Sequence, residues 1–166
     1  MVRYQITPGV AAIPPSRMGE QIQAPKGHLL LFLHPQCGCS MATVDELQRT
    51  LSKTQLALAT TIYFYKPRNE LDSWCTGTRL WNEAKLIPNA NVIIDSDGQA
   101  AKKFGARCSG QILIYAPKSG SLVFSGGITE SRGHEGESRG GDAIIEFAKT
   151  GTCSIHKTNV FGCAIW

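Results

Sequence analysis

The feature that most limits how this chain can fold is a short apolar run that leads directly into two cysteines. Residues 29–33 are all apolar, which is the pattern of a strand covered on both faces. The next residues, 34–40, read HPQCGCS, and apolar residues then recur at helical spacing as far as about Lys53: Met41, Val44, Leu47 and Leu51. We therefore expect a buried central strand, a turn that carries Cys37 and Cys39, and a helix with Ser40 as its N-cap.

The rest of the chain alternates between strand and helix patterns. Further strands are predicted at residues 56–65, 91–95, 112–115 and 122–125. Helices are predicted near residues 78–86, from Asp97-Gly98 to about Phe104-Gly105, and finally where an apolar face is formed by Ala143, Ile144, Phe147 and Ala148. This order gives an α/β fold in three layers, with a central mixed sheet and an antiparallel C-terminal hairpin, which is a thioredoxin-like plan.

Length and composition favour one domain with two flanking segments. The 166 residues, 42% of them hydrophobic, suffice for one core without help from disulfides or metal. Residues 28–150 form the predicted domain, and residues 1–27 form an extended, proline-rich leader. Residues 151–166 form a tail whose apolar end, residues 164–166, is expected to dock on the domain.

Charge and hydropathy disfavour two classes of protein. With a net charge of +4 and 18% charged residues, the chain is too weakly basic for a dedicated nucleic-acid binder. No apolar run approaches the roughly 18 residues of a membrane span, and residues 1–27 lack the apolar centre of a signal peptide. The leader is typical of a linker, and it suits both a cytoplasmic chain and an extracytoplasmic domain that follows a membrane anchor.

The clearest chemical feature is Cys37-Gly38-Cys39, because of where it stands. A thiol at a helix N-terminus lies near unpaired backbone N–H groups and the positive end of the helix dipole, which lower its pKa. Cys37 and Cys39 are therefore the predicted catalytic residues of a thiol–disulfide oxidoreductase, in which Cys37 attacks and Cys39 releases the mixed disulfide. This chemistry requires no cofactor, and its partner is a redox protein or a small thiol or disulfide.

Metal binding is the alternative hypothesis for the same cysteines. Thiolates two residues apart suit soft ions, so copper, zinc or an iron–sulfur centre is conceivable with further ligands from elsewhere in the chain. The candidate ligands are Cys37 and Cys39 with His134, extended by Cys108 or Cys163. A thiol peroxidase is disfavoured because the Pro-x-x-x-Thr-x-x-Cys pattern is absent.

The segment before the fourth strand and a long glycine-rich loop supply the other candidate site residues. Ser109 and Gly110 fall where a thioredoxin-like protein places a cis-proline opposite its dithiol, and Gly110 opens space for something other than an extended peptide. The loop of residues 126–141 is expected to form a lid over the cysteines, in which His134 or Arg132 favours a thiolate or supplies a ligand and Glu135 orients the imidazole. The predicted support or substrate-binding positions also include Pro35 and Ser40.

Several of these motifs together resemble the bacterial thioredoxin-like proteins labelled RedB. The resemblance rests on HPxCxCS at residues 34–40, FGA at 104–106, SGxxLxY at 109–115, FSGGITxxRGHEG at 124–136 and VFGC at 160–163. It covers most of residues 28–165, and the stretch at 124–136 is its most specific part. The resemblance implies a thioredoxin fold, usually behind an N-terminal membrane anchor facing the periplasm. A periplasmic or extracytoplasmic location is therefore expected, with a cytoplasmic one as the alternative.

The remaining cysteines leave several arrangements open. Cys163 either acts as a resolving thiol near Cys37 or forms a disulfide with Cys153 that pins the tail. Cys75, beside Trp74, has no companion in the sequence and is predicted to be a packing thiol. Because 6 cysteines allow 15 complete pairings, the sequence does not select the connectivity.

Overall fold

The computed structural model describes residues 7–19, 25–55 and 58–166. The predicted order of strands and helices is the observed one, with one additional short helix, α2. The predicted second strand begins later than expected, at Ala59, and residues 56–57 lie outside the described residues. The elements in chain order are β1 (His28–Leu33), α1 (Ser40–Thr54), β2 (Ala59–Lys66), α2 (Ser73–Thr76), α3 (Arg79–Ala84), β3 (Ala90–Ser96), α4 (Gln99–Lys103), β4 (Gln111–Tyr115), β5 (Leu122–Gly126) and α5 (Arg139–Thr150).

The strands form one mixed sheet with β1 at its centre. The strand order is β3-β2-β1-β4-β5, in which β1 pairs parallel with β2 and antiparallel with β4. Strands β2 and β3 are parallel, whereas β4 and β5 form an antiparallel hairpin. The mixed sheet and the C-terminal hairpin are therefore confirmed, and the apolar run lies at the position where both faces of the sheet are covered.

Side chains of β1 alternate between the two layers that cover the sheet. Leu29, Leu31 and Leu33 face a large cluster with residues of α1, α3 and α5, and Leu30 and Phe32 face a smaller one beside α4. Each fully buried side chain of this size contributes about 1.5–3 kcal/mol. This burial fixes the carboxyl end of β1, from which the cysteine turn begins.

Two local expectations need correction. Helix α2 was not expected, because a single turn of four residues is too short to show helical periodicity. The N-cap of α1 is Cys39 rather than Ser40, and it makes no side-chain cap hydrogen bond. Ser40 is instead the first helical residue, and its hydroxyl lies 2.7 Å from the hydroxyl of Ser109.

Both flanking segments contact the domain. The described part of the leader, residues 7–19, hydrogen-bonds to the tail and to the hairpin of the domain. The Gly9 N–H donates to the Val160 carbonyl at 2.7 Å, and the Met18 N–H donates to the Gly120 carbonyl at 2.8 Å. In the tail, the side chains of Val160, Phe161 and Ile165 are buried. Among the described residues, no helix has the length and apolarity needed to cross a membrane.

Candidate active site

The turn between β1 and α1 holds two thiols at the N-terminus of the helix. The Cys37 N–H donates to the His34 carbonyl and the Ser40 N–H to the Cys37 carbonyl, both at 3.0 Å, and these bonds close the turn. Cys37 is only 4% exposed, whereas Cys39 is half-buried. Pro35 is buried in the same turn. Both cysteines therefore lie just before the first helical residue, at the positive end of the α1 dipole.

The surroundings of Cys37 favour its thiolate. The backbone N–H of Cys163 donates to Cys37 Sγ at 3.4 Å. Burial, the largest single influence, raises the pKa of Cys37, but hydrogen bonds from the Cys163 thiol, the Ser40 hydroxyl and nearby backbone groups together bring this pKa below its ordinary value. Cys37 is therefore the one cysteine of the six whose pKa is lowered.

Cys39 differs from Cys37 although it is only two residues away. Burial and the negative charge of a Cys37 thiolate raise the pKa of Cys39, against an opposing hydrogen bond and attraction from Arg132. The Nε atom of Arg132 is itself buried and has no hydrogen-bond partner among the described residues. The glycine-rich loop thus places a guanidinium beside Cys39, where its positive charge opposes the increase in pKa.

The tail brings a third thiol to the same place. The Ser109 N–H donates to the Cys163 carbonyl at 2.8 Å, and the Ile165 N–H donates to the Arg107 carbonyl at 2.9 Å. Cys108 and Ala164 form an antiparallel bridge between these bonds. The tail therefore runs alongside the segment before β4, and this pairing sets Cys163 next to Cys37. The exposed Cys163 thiol has a pKa raised to about 11, chiefly by its hydrogen bond to Cys37.

Ser109 joins the two sides of the site. Its hydroxyl accepts a hydrogen bond from the His34 N–H at 2.8 Å and pairs with the Ser40 hydroxyl at 2.7 Å. The next residue, Gly110, has a φ of +97°, and a Cβ there would lie 3.2 Å from Thr43 Oγ1. A side chain at this position is therefore disfavoured by its backbone conformation and crowded by α1.

Cys108 lies close by, but it does not have the character of a reactive thiol. Its side chain is 1% exposed, and a Cβ on Gly9 of the leader would overlap its sulfur. Burial raises the pKa of Cys108 to about 11. The structure therefore favours Cys108 as a packing thiol under the leader and tail.

The glycine-rich loop is attached to α1 by a buried carboxylate that the sequence analysis did not single out. Glu46 accepts hydrogen bonds from the Gly136 N–H and from the Arg49 guanidinium, both at 2.6 Å. Arg49 also pairs with Glu135 at 3.2 Å, so the carboxylate that was expected to orient His134 is engaged by the helix. At helical spacing Glu46 falls on the side of Ala42 and Thr50, away from Val44, Leu47 and Leu51, so the apolar pattern of α1 carried no signal for it.

The predicted metal ligands do not assemble into a ready site. Among the residues that the structure describes, no group of three or more His, Cys, Asp and Glu side chains is arranged to hold a metal ion. Cys37, Cys39 and Cys163 meet at one turn, but Cys108 faces the leader. Metal binding by these cysteines with His134 stays a prediction to which this arrangement adds no support.

A second feature that sequence reasoning missed is an aromatic cluster beside the turn. The ring of His34 stacks on Tyr65 at 5.5 Å between centroids and meets the edge of Trp74 at 5.4 Å. Burial lowers the pKa of His34. The position of His34 directly after a buried strand was the only sequence signal, because its partners come from β2 and α2.

Comparisons with known proteins identify the fold. No family model matches the chain, and no curated protein matches its sequence significantly. A hypothetical protein from Sinorhizobium meliloti is 18% identical, with a TM-score of 0.66 over 98% of this chain and 97% of that one. A thioredoxin-like protein solved in its oxidised form is 17% identical, with a TM-score of 0.55 over 90% of this chain and 97% of that one. An exposed lipoprotein thioredoxin from Streptococcus pneumoniae is 17% identical, with a TM-score of 0.52 over 75% of this chain and 84% of that one. The chain therefore has a thioredoxin-like fold, as its sequence predicts.

Proposed function

We propose that this protein is a thiol–disulfide oxidoreductase in which Cys37 is the attacking thiolate. The observation that carries the proposal is the set of hydrogen bonds that converge on Cys37 at the N-terminus of α1. They favour the anionic form of a thiol that burial alone would keep protonated. A low pKa provides a larger fraction of the nucleophile at neutral pH.

The proposed reaction consists of two thiol–disulfide exchanges. In the first, the Cys37 thiolate attacks one sulfur of a substrate disulfide, forms a mixed disulfide and releases the other substrate sulfur as a thiolate. In the second, another protein thiol loses its proton, attacks Cys37 Sγ and releases the first substrate sulfur. The substrate disulfide gains two electrons and becomes two thiols after protonation, while two protein thiols become one disulfide. Cys39, two residues after Cys37, is the thiol that the Cys-x-Cys spacing predicts for the second attack.

The residues around Cys37 give the support that this chemistry needs. Ser40 donates to Cys37, and Ser109 holds Ser40 and the backbone of His34 in place. Arg132 attracts negative charge at Cys39. Gly110 leaves the side of the site next to Thr43 without a side chain. The proposed partner is accordingly a protein disulfide or a small disulfide that reaches the turn.

An extracytoplasmic location is part of the proposal. It is supported by the resemblance described above and by a structural neighbour that is itself an exposed lipoprotein. Fractionation of cells that produce the full-length protein checks it, because recovery in the cytoplasmic fraction alone would contradict this location.

A single-turnover reaction tests the function. The fully reduced protein is mixed with one equivalent of a chromogenic aryl disulfide, which releases one coloured thiolate when the mixed disulfide forms and a second when it is resolved. We expect a fast first release that disappears in Cys37→Ser and persists in Cys75→Ala. The wild-type Cys75 thiol is buried and donates to the Tyr65 carbonyl of β2. Equal first-phase rates in wild type and Cys37→Ser would overturn the proposal. Stoichiometric copper, zinc or iron in freshly purified protein, lost in Cys37→Ser, would favour the metal-binding hypothesis instead.

A further inference from the structure

We infer that Cys163, in the C-terminal tail, is the thiol that resolves the mixed disulfide on Cys37. This inference rests on the proposed function and assigns its second step to a residue 126 positions away in the sequence rather than to Cys39. The product is a Cys37–Cys163 disulfide that ties the tail to the start of α1.

The contact between the two residues is direct. The Cys163 N–H donates to Cys37 Sγ at 3.4 Å, and the Cys163 thiol also hydrogen-bonds to Cys37. The two thiols are close enough for each to shift the pKa of the other. The backbone of Cys163 is held by the hydrogen bond from Ser109, and the neighbouring Ala164 bridges Cys108. A nucleophile fixed at contact distance avoids most of the entropic cost of finding its target.

Exposure also favours Cys163. Cys37 is almost fully buried, whereas Cys163 is exposed, so its proton can pass to water or to the departing thiolate. Cys39 is the N-cap residue of α1 and is engaged by Arg132. A disulfide between Cys37 and Cys39 closes a much smaller ring, and strain in such a ring opposes its formation.

The charge on Cys37 determines when Cys163 becomes reactive. The hydrogen bond to Cys37 and the negative charges of Cys37 and Cys39 raise the pKa of Cys163, whereas Arg132 lowers it. Once Cys37 is in a mixed disulfide, its charge is gone and it no longer accepts that hydrogen bond as a thiolate. The pKa of Cys163 then falls, and Cys163 becomes a nucleophile only after the substrate is attached.

The same single-turnover assay separates the two steps. The first coloured release reports on Cys37 and tests the proposed function, whereas the second reports on the resolving thiol. In Cys163→Ser, which keeps the backbone N–H and has a hydroxyl in place of the thiol donor, we expect a first release that is still fast and a second release slowed at least about tenfold. In Cys39→Ser we expect the second release to persist and to be clearly faster than in Cys163→Ser. The matched control is Cys153→Ala, the other tail cysteine, whose thiol donates to the Ala143 carbonyl at 3.5 Å.

Peptide mapping identifies the bond that forms. Trypsin cleaves after Lys26, Arg49, Lys149 and Lys157, so Cys37 and Cys39 stay in peptide 27–49, Cys153 lies in 150–157 and Cys163 in 158–166. We expect non-reducing digests of the reacted protein to contain 27–49 joined to 158–166, also in Cys39→Ser.

Three results overturn the inference while leaving the proposed function intact. They are a wild-type second release in Cys163→Ser, a disulfide confined to peptide 27–49, and a link between 150–157 and 158–166. If the wild-type protein showed no first release, this result would instead contradict the proposed function itself. Equal thermal unfolding midpoints of wild type and Cys163→Ser show that a slow second release does not come from a misfolded tail.

Discussion

Cys37 at the helix turn and the thiols in the interior are all shielded from water, yet their pKa values are shifted in opposite directions. In the interior, the Cys75 thiol donates to the Tyr65 carbonyl at 3.3 Å, and the Cys153 thiol donates to the Ala143 carbonyl at 3.5 Å. A carbonyl oxygen accepts a hydrogen bond from a thiol, but its partial negative charge repels a thiolate. At the turn, Cys37 Sγ instead accepts hydrogen bonds from a backbone N–H and a hydroxyl.

Burial alone therefore does not decide whether the pKa of a cysteine is raised or lowered. Burial is the largest influence on the pKa of Cys37, as it is for Cys75, Cys108 and Cys153. The direction of the surrounding hydrogen bonds separates Cys37 from Cys75 and Cys153, because donors stabilise the thiolate and carbonyl acceptors stabilise the thiol. Secondary structure supplies donors at the N-terminus of a helix and acceptors where a thiol lies against a strand or the interior of a helix.

The largest expected difference between Cys37 and the interior thiols is in their rates of alkylation. A thiol with a pKa of about 11 is ionised in about one molecule in ten thousand at pH 7, so Cys75, Cys108 and Cys153 should hardly react in the folded protein. We expect iodoacetamide to modify Cys37 at least a hundredfold faster, as measured by timed quenching and peptide mass spectrometry. Comparable rates at Cys37 and Cys75 would show that the donors do not act as described.

Removing one donor should make Cys37 more like the interior thiols. Ser40→Ala removes the hydroxyl that donates to Cys37 and pairs with Ser109 at 2.7 Å. We expect the pH midpoint of Cys37 alkylation to move upward and the rate at pH 7 to fall about tenfold, since a hydrogen bond to a charged group contributes about 1.5–3 kcal/mol.

The matched control for this variant is Ser52→Ala, at the other end of α1, where the hydroxyl donates to the Gln48 carbonyl at 2.7 Å. Its alkylation profile should match that of the wild type. An unchanged midpoint in Ser40→Ala would assign the low pKa to the backbone donors alone.

The interior thiols should be visible in the pH dependence of stability. Their pKa values are raised from an ordinary 9.0 to about 11, so their contribution is complete below pH 9 and is lost as the pH rises towards 11. Cys37 has the opposite sign, because a lowered pKa stabilises the reduced fold above pH 9 and this contribution is lost as the pH falls through the pKa of the folded state. We expect the thermal unfolding midpoint of the reduced protein to decrease as the pH is raised from 9 to 11.

Variants separate these thiols from other groups that titrate in the same range. The decrease in midpoint should be shallower in Cys153→Ala than in the wild type, whatever the absolute stability of the variant. Parallel curves for the two proteins would mean that Cys153 ionises as easily in the folded chain as in the unfolded one.

The smallest effect is expected at Arg132. Its guanidinium lowers the pKa of Cys39 against the stronger influence of burial and Cys37, so Arg132→Gln should raise the alkylation midpoint of Cys39 further. We expect the rate at Cys39 to fall about twofold to fivefold, with Cys37 less affected, because an ion pair at a half-exposed site contributes about 0.2–1 kcal/mol. Arg139→Gln, an exposed arginine at the start of α5, serves as the matched control. A wild-type rate at Cys39 in Arg132→Gln would contradict this role.

Local patterns were sufficient to predict most of the fold. The apolar run of β1, the helical spacing after Ser40 and the hairpin signal between β4 and β5 each lie within one short segment, so each could be read without knowing the rest. Cys37 and Cys39 were found for the same reason, because the positions of a strand and a helix define the turn between them.

The features that the sequence analysis did not resolve depend on distant segments. The pairing of the tail with residues 107–109 uses backbone groups, which any sequence supplies, so nothing in residues 151–166 distinguishes Cys37 from Cys153 as the neighbour of Cys163. The attachment of the loop through Glu46 and Gly136 likewise joins α1 to a segment 90 residues later. The opposite pKa shifts of Cys37 and Cys39 follow from such contacts rather than from residue type.

The sequence separation between Cys37 and Cys163 also has a consequence for how the molecule reaches its native state. The contact joins residues 126 positions apart, and contacts of this range form only after the large entropic cost of closing the chain has been met by other interactions. The central strand and α1 can assemble earlier, because their contacts are more local. A chain whose tail is not docked lacks the Cys163 donor at Cys37, so the alkylation rate of Cys37 during refolding reports when the tail has docked.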